Sequence, residues 1–301
     1  MKTNILYKLG IAALLAALLV LTGCKDSFLE VEPGKKMTLT EYFSTDEHIY
    51  EAVAATYHPM RLFDWNGATY NPINICSEVM TDNFWAGGAD LNDYTYWHYM
   101  EDFKADPLHT LEGIWKQCYL GVKNANDVLS YVETGKDKIT AEHQKLYTEE
   151  AMVLRAFYYC QLWKFYGYIP VYMKNLTSPY TCEQSAPDAA YDAIITSLEE
   201  AIAIGALPMQ WDDANLGRVN RATAYMLYAE MVMYQNDESR YSKALEYMRQ
   251  IINSGKFALH DDYAALWTKE GEWTKESIFE INYTDGPNGK RAYGGGVGNV
   301  G

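Results

Sequence analysis

Positive charge is scarce in this sequence. Against 40 aspartates and glutamates stand 25 lysines and arginines in 301 residues, a formal charge of −15. Nucleic acid, anionic lipid faces and phosphorylated ligands are all held by clustered Lys and Arg, so an acidic chain fits none of them. Between Leu62 and Phe103 there is no lysine or arginine at all. Cysteine is also sparse. Beyond Cys24, the residues Cys76, Cys118, Cys160 and Cys182 show no CxxC or Cys/His spacing of the kind that holds zinc. Cys118 and Cys160 fall within helical patterns, where a thiol acts as a small buried hydrophobe; a disulfide stays open, with no pair singled out. The six histidines contain no HExxH spacing and no Ser/His/Asp context. The acidic neighbours Asp212-Asp213 and Asp261-Asp262 are ordinary in so acidic a chain and do not imply the opposed carboxylates of a glycosidase. Gly296 to Gly301 spells GxGxxG, but a dinucleotide site needs that motif between a strand and a helix. It reads as a flexible loop, and no enzyme is expected.

Long apolar runs are missing too. Residues 9–22, LGIAALLAALLVLT, are fourteen without a charge, short of the roughly twenty that cross a bilayer. Preceded by Lys2 and Lys8, they read as a signal peptide covering residues 1–23. Leu21-Thr22-Gly23-Cys24 resembles a bacterial lipobox, which implies acylation of Cys24. One acyl chain binds membranes only marginally, whereas the two or three of a bacterial lipoprotein anchor stably. Without residues 1–23 the chain carries 23 basic against 40 acidic residues, a charge of −17.

What is present is helical and aromatic. Hydrophobic residues make up 49% of the chain and aromatics 14%, enough for a sizeable core. Within residues 149–173, Ala151, Leu154, Phe157, Tyr158, Leu162 and Phe165 recur at helical spacing, predicting an amphipathic helix that starts near Thr140. Gly167 supplies a left-handed stop, and Pro170 starts an extended stretch from Ile169 to Met173. This helix pairs with residues 187–204, where Pro187 suits a first turn and Tyr191, Ile194, Ile195, Leu198 and Ile202 share a face. Residues 41–59 and 108–133 form an earlier pair, the latter with a stripe of Leu111, Trp115, Cys118, Val122, Ala125, Leu129 and Val132. A third pair puts Ala222, Tyr225, Met226, Ala229 and Met233 on one stripe, and Tyr241, Ala244, Leu245, Met248, Ile251 and Ile252 on the next, before Gly255. Two helices and a short turn in about 34 residues is the tetratricopeptide pattern.

The run Glu150-Ala-Met-Val-Leu-Arg155-Ala-Phe-Tyr-Tyr, with Leu162 and Tyr166-Gly-Tyr-Ile-Pro170, resembles the signature helix of SusD/RagB-type outer-membrane lipoproteins. Lys164 and Tyr168 depart from it without touching the helix or its stop. NRATAYMLYAEMVMYQ, YSKALEYMRQIINSGKFALHDDYAALW and Glu276-Ser-Ile-Phe-Glu280 extend the resemblance. It implies a mainly α fold of tetratricopeptide-like helix pairs, a SusD-like α-superhelical scaffold with long loop insertions. Residues 24–301 would be the N-terminal part of a SusD-like domain whose later half is missing. Glu150 and Arg155 are expected to pair with one another and orient the signature helix.

Between the first two helices lies an insertion, residues 60–107, too long for an ordinary connection. Residues 84–99, FWAGGADLNDYTYWHY, hold six aromatics in sixteen positions, whereas disordered tracts are poor in them. Around them are Asp64, Glu78, Asp82, Asp90, Asp93, Glu101 and Asp102, and five asparagines. Aromatic faces beside carboxylates and amides suit a neutral, hydroxyl-rich ligand that stacks and hydrogen-bonds; packing of Phe84, Trp85 and Trp97 onto the helices is the alternative use of the same residues.

The resemblance implies glycan capture at the cell surface and delivery to a SusC-like TonB-dependent transporter. It assigns stacking to Trp97, Tyr96, Tyr94 and Trp85, and hydroxyl contacts to Asn92, Asp93, Asp82 and Asn83. Trp65 is a weaker candidate, and residues 167–186 add Tyr168, Tyr172 and Tyr180. His98 reads as packing or a ligand contact. The expected setting is the outer membrane, held through the lipid on Cys24, with a glycan and the transporter as partners. No cofactor is expected, and calcium cannot be read from the sequence. Peptide capture of the RagB kind and a structural adaptor role are the alternative functions.

Overall fold

The computed structural model describes residues 37–63 and 73–281. Cys24 and the signal segment, Trp65 and the GxGxxG tail lie outside the described residues. The chain divides into two units at Tyr42. In the first, Leu39–Tyr42 is one helical turn, capped by Thr38, whose N–H and Oγ1 donate to Glu41 Oε2 at 2.8 and 2.9 Å.

The second unit carries eight α-helices among the described residues: α1 (Asp46–Tyr57), α2 (Ile73–Glu78), α3 (Thr95–Glu101), α4 (Glu112–Gly135), α5 (Ala141–Tyr166), α6 (Pro187–Ile204), α7 (Arg221–Gln235) and α8 (Tyr241–Asn253). The expected pairs form, with α1 on α4, α5 on α6 and α7 on α8, while α4 also packs along α5 and α6 along α7. Local chemistry sets the ends. Thr45, Thr140 and Asn220 each accept a backbone N–H of the first turn, and Thr223 completes a capping box with Asn220.

The signature helix α5 is not amphipathic as its spacing predicted. From Tyr147 to Trp163 nearly every side chain is buried, including Met152, Val153, Cys160 and Trp163 off the expected stripe. Packed by α1, α4, α6 and α7, the helix is covered on every side over this stretch, its polar Glu149, Glu150, Arg155 and Gln161 included. Close approach requires a glycine on α4, because a Cβ on Gly121 would lie 2.2 Å from the Tyr158 ring. Gly167 ends the helix at φ 67°, ψ −77°, with Tyr168 N–H donating to Tyr166 O at 2.8 Å. That is a γ-turn rather than a left-handed cap. The extended stretch then shortens to β1 (Ile169–Pro170), antiparallel to β2 (Gln184–Ser185).

The expected Glu150–Arg155 pair does not form. Fully buried Glu150 is gripped by Arg218, with Nε donating to Oε1 at 3.1 Å and a second guanidinium nitrogen to Oε2 at 2.6 Å, and by the Tyr57 hydroxyl. Arg155 donates instead to Asn126 Oδ1 (2.7 Å), Met173 O (2.8 Å) and Ser197 Oγ (2.9 Å). Both orient α5, each through its own partners. Two more stripes are corrected: Met226 and Met233 on α7, and Leu245 and Ile252 on α8, are exposed, while Tyr228, Met231 and Tyr247 are buried in their place. Ala222, Tyr225, Ala244 and Ile251 of the predicted stripes are buried as expected, and Tyr225 stacks on Tyr247, centroids 4.2 Å apart, across the α7–α8 contact. Cys76, Cys118 and Cys160 are buried free thiols, and burial pushes Cys76 and Cys160 up to about 12.

Candidate functional site

The described part of the insertion after residue 79 is held by its own short side chains. Asp90 Oδ1 accepts Asn92 N–H at 2.7 Å, Asp90 O accepts Asp93 N–H, and Asp93 Oδ2 accepts Ala89 N–H at 3.0 Å. These turns use the locally bonding Asx chemistry that competes with regular structure. Gly88, at φ 98°, faces the Asp93 side chain so closely that a Cβ would come within 3.1 Å of it. Glu101 Oε2 accepts Ala86 N–H at 3.4 Å, tying the loop to α3. After α3, Asp106 closes the insertion by accepting the N–H groups of Leu108 (2.8 Å) and His109 (2.9 Å) and contacting His109 Nδ1. The His109 contact and these backbone donors hold the Asp106 carboxyl below its usual range.

Helical geometry divides the expected aromatic cluster. At about 100° per residue, Tyr94, Trp97, His98 and Glu101 fall on one side of α3, and Tyr96 and Tyr99 on the other. Trp97 is only 6% exposed and stacks on Tyr94, centroids 4.6 Å apart and planes 14° from parallel. It backs Tyr94 rather than offering a free face, which corrects its assignment as a stacking platform. His98 is buried, its Nδ1 3.6 Å from Glu101, and its Nε2 has no hydrogen-bond partner among the described residues.

Three predicted aromatics do reach solvent: Trp85 at 75%, Tyr96 at 46% and Tyr94 at 42% exposure. Asp82, Asn83 and Asn92 are exposed beside them in sequence, and Asp93 is half-buried as a loop brace. Phe84, Leu91 and Phe103 add exposed apolar surface. Sequence reasoning missed Tyr99 and His109, whose rings stack at 4.2 Å and 12°. The Asp106-Pro-Leu-His109 spacing was the signal available for that turn. In the second insertion Tyr168 and Tyr180 are exposed, but Tyr172 belongs to the core, stacked on Tyr119 and accepting the Tyr159 hydroxyl at its carbonyl.

Two clefts lie on the helix scaffold. A cleft of about 240 Å³ is lined by Tyr50, Tyr57, Glu150 and Arg218, and one of about 630 Å³ by Lys145, Leu146, Ile204, Pro208 and Trp211. In the first, the Arg218 guanidinium sits over Trp211 at 4.4 Å and Tyr50 at 5.3 Å. Its nitrogens are committed to Glu150 and Asn215, so the cleft offers no free anion receptor. Among the described residues no three His, Cys, Asp or Glu side chains gather as a metal site, and no helix is long and apolar enough to cross a membrane.

Helix pairs carrying a long aromatic insertion, without lysine or arginine from Leu62 to Phe103, can be compared with known proteins. Residues 27–233 match a SusD-like family model described as "Starch-binding associating with outer membrane". The chain belongs to the SusD-like family. Solved SusD-like relatives agree in fold. Surface glycan-binding protein A from Bacteroides uniformis is 47% identical at TM-score 0.76, over 79% of this chain and 53% of that one. The Bacteroides thetaiotaomicron protein of that name, in complex with laminarihexaose, is 46% identical at TM-score 0.74, over 80% and 50%. The Bacteroides fluxus protein is 35% identical at 0.72, over 78% and 50%. This SusD-like chain thus spans about half the length of these relatives. No curated protein sequence matches it.

Proposed function

We propose that this SusD-like protein captures neutral oligosaccharide of the laminarihexaose class, without chemistry of its own, and hands it to a SusC-like TonB-dependent transporter at the outer membrane, where lipid on Cys24 holds it. The observation that carries the reading is the set of exposed aromatic side chains, Trp85 foremost, in a stretch from Leu62 to Phe103 that has no lysine or arginine. Trp85, Tyr94 and Tyr96 offer faces to sugar C–H groups, and Asp82, Asn83, Asn92 and Asp93 offer acceptors and amides to hydroxyls. Trp97 serves by holding Tyr94. The laminarihexaose complex of a 46% identical relative supports the ligand class.

Titration calorimetry of the full chain with laminarihexaose, beside a panel of neutral polysaccharides and peptides, tests this. Trp85→Ala is expected to weaken glycan binding about tenfold, as loss of a stacking face does, with unchanged melting. Binding of peptides but of no glycan would overturn the reading.

A further inference from the structure

We propose that His109 is a ligand-contacting residue, presenting Nε2 as a hydrogen-bond acceptor for a sugar hydroxyl at the edge of the Tyr96 ring. The inference rests on the glycan reading above and adds to it one atom with a defined polarity.

Three contacts fix the imidazole. Both Asp106 carboxylate oxygens lie beside Nδ1, at 2.9 and 3.0 Å. An ionised carboxylate only accepts, so Nδ1 carries the proton, and Nε2 of the neutral ring is then an acceptor. Asp106 cannot swing away, because it also holds the Leu108 and His109 N–H groups and is bridged to His109 through the backbone. The ring plane is set by Tyr99, stacked at 4.2 Å, and by Tyr96 on the same face of α3, 6.4 Å away and tilted by 44°. Nε2 lies at the end of the ring away from Asp106, on a side chain 32% exposed, with no hydrogen-bond partner among the described residues.

The surroundings agree in polarity. The titratable groups facing the ring are Asp106 on its own turn and the Tyr96 and Tyr99 phenols on α3; nearby Lys104 is engaged by Asp102 at 2.8 Å. With the Asp106 carboxylate and two phenols around the ring, the site is rich in acceptors and, among the described residues, holds no free cation close to it. It therefore takes hydroxyl donors of a neutral sugar and disfavours uronates and sulfated glycans, whose charges need Lys or Arg.

A merely bracing histidine would need its ring and its Asp106 contact but not Nε2, and this separates the two roles. Because His109→Phe removes the Asp106 contact together with the acceptor, the Nε2 resonance is what tells the roles apart; the variant keeps the stack on Tyr99. It is expected to weaken laminarihexaose binding about five- to tenfold, the worth of one hydrogen bond, with unchanged melting. Long-range proton–nitrogen NMR of the wild-type chain should show the Nδ1–H tautomer, with the Nε2 resonance moving as laminarihexaose is added. If Tyr96→Ala loses binding while His109→Phe binds like wild type, or if Nε2 stays unmoved at saturation, the glycan reading stands and His109 falls. A wild-type chain that binds no glycan removes both.

Discussion

Helix α5 and residues 79–107 of the insertion are equally aromatic to the eye, yet they treat their rings in opposite ways. On α5 the phenols are tethered: Tyr158 donates to Thr56 O at 2.6 Å, Tyr159 to Tyr172 O at 2.7 Å, and Tyr166 to Leu111 O. Each joins the helix to a distant segment, and burial raises the Tyr158 hydroxyl well above the ordinary phenol range. In the insertion Trp85, Tyr94 and Tyr96 present their faces to solvent, and the bonds that order the loop come from Asp and backbone groups instead. Aromatic content alone therefore assigns no role. A buried hydroxyl with a partner marks scaffold, and an exposed face on a loop braced by other residues marks a surface kept for a ligand.

The largest test of that contrast is on the scaffold side. Glu150→Ala strands Arg218 and Tyr57 beside a buried void, so urea unfolding should show a loss of about 3–5 kcal/mol. A loss below 1 kcal/mol would mean that the network is not what locks α5 to α1 and the 205–220 segment. Next comes Gly121→Ala, where the new Cβ meets the Tyr158 ring; overpacking of this kind costs about 1–3 kcal/mol, read as a lower urea midpoint.

A matched pair addresses the phenols directly. Tyr158→Phe leaves a carbonyl without its donor and should cost about 1–2 kcal/mol, whereas Tyr96→Phe should stay within about 0.5 kcal/mol of wild type. Equal costs in thermal melts would break the comparison.

The smallest effect is a pH dependence. Burial raises the Glu149 carboxyl, against the opposing N–H groups of Leu207 and Ala206 and the charge of Arg221. The folded state thus binds the proton more tightly than the unfolded chain, so this group favours folding at pH below its ordinary value of 4.5. That benefit is lost as pH rises through the folded value. Glu149→Gln should raise the melting temperature at pH 7 more than at pH 4.5; a uniform shift would show that the carboxyl is not strained.

Much of the scaffold was legible because its signals are local. Thr140 announced the start of α5 and Gly167 its end; Pro187 and the Tyr191–Ile202 stripe described α6 as found. The candidate site was legible as a region, since the aromatic content and the lack of lysine and arginine between Leu62 and Phe103 are compositional facts. Its individual residues were not. Trp97 and Trp85 are the same residue type twelve positions apart, and only packing makes one a support and the other a surface.

The sequence by itself determined the family, the main scaffold helices and the chemistry available to a ligand, because capping, periodicity and composition act within a few residues. Tertiary structure decided which face of α3 turns inward, why α5 is buried all round, and that Glu150 meets Arg218 rather than Arg155. Those outcomes depend on partners tens of residues away, and nothing in a local pattern says which neighbour will arrive.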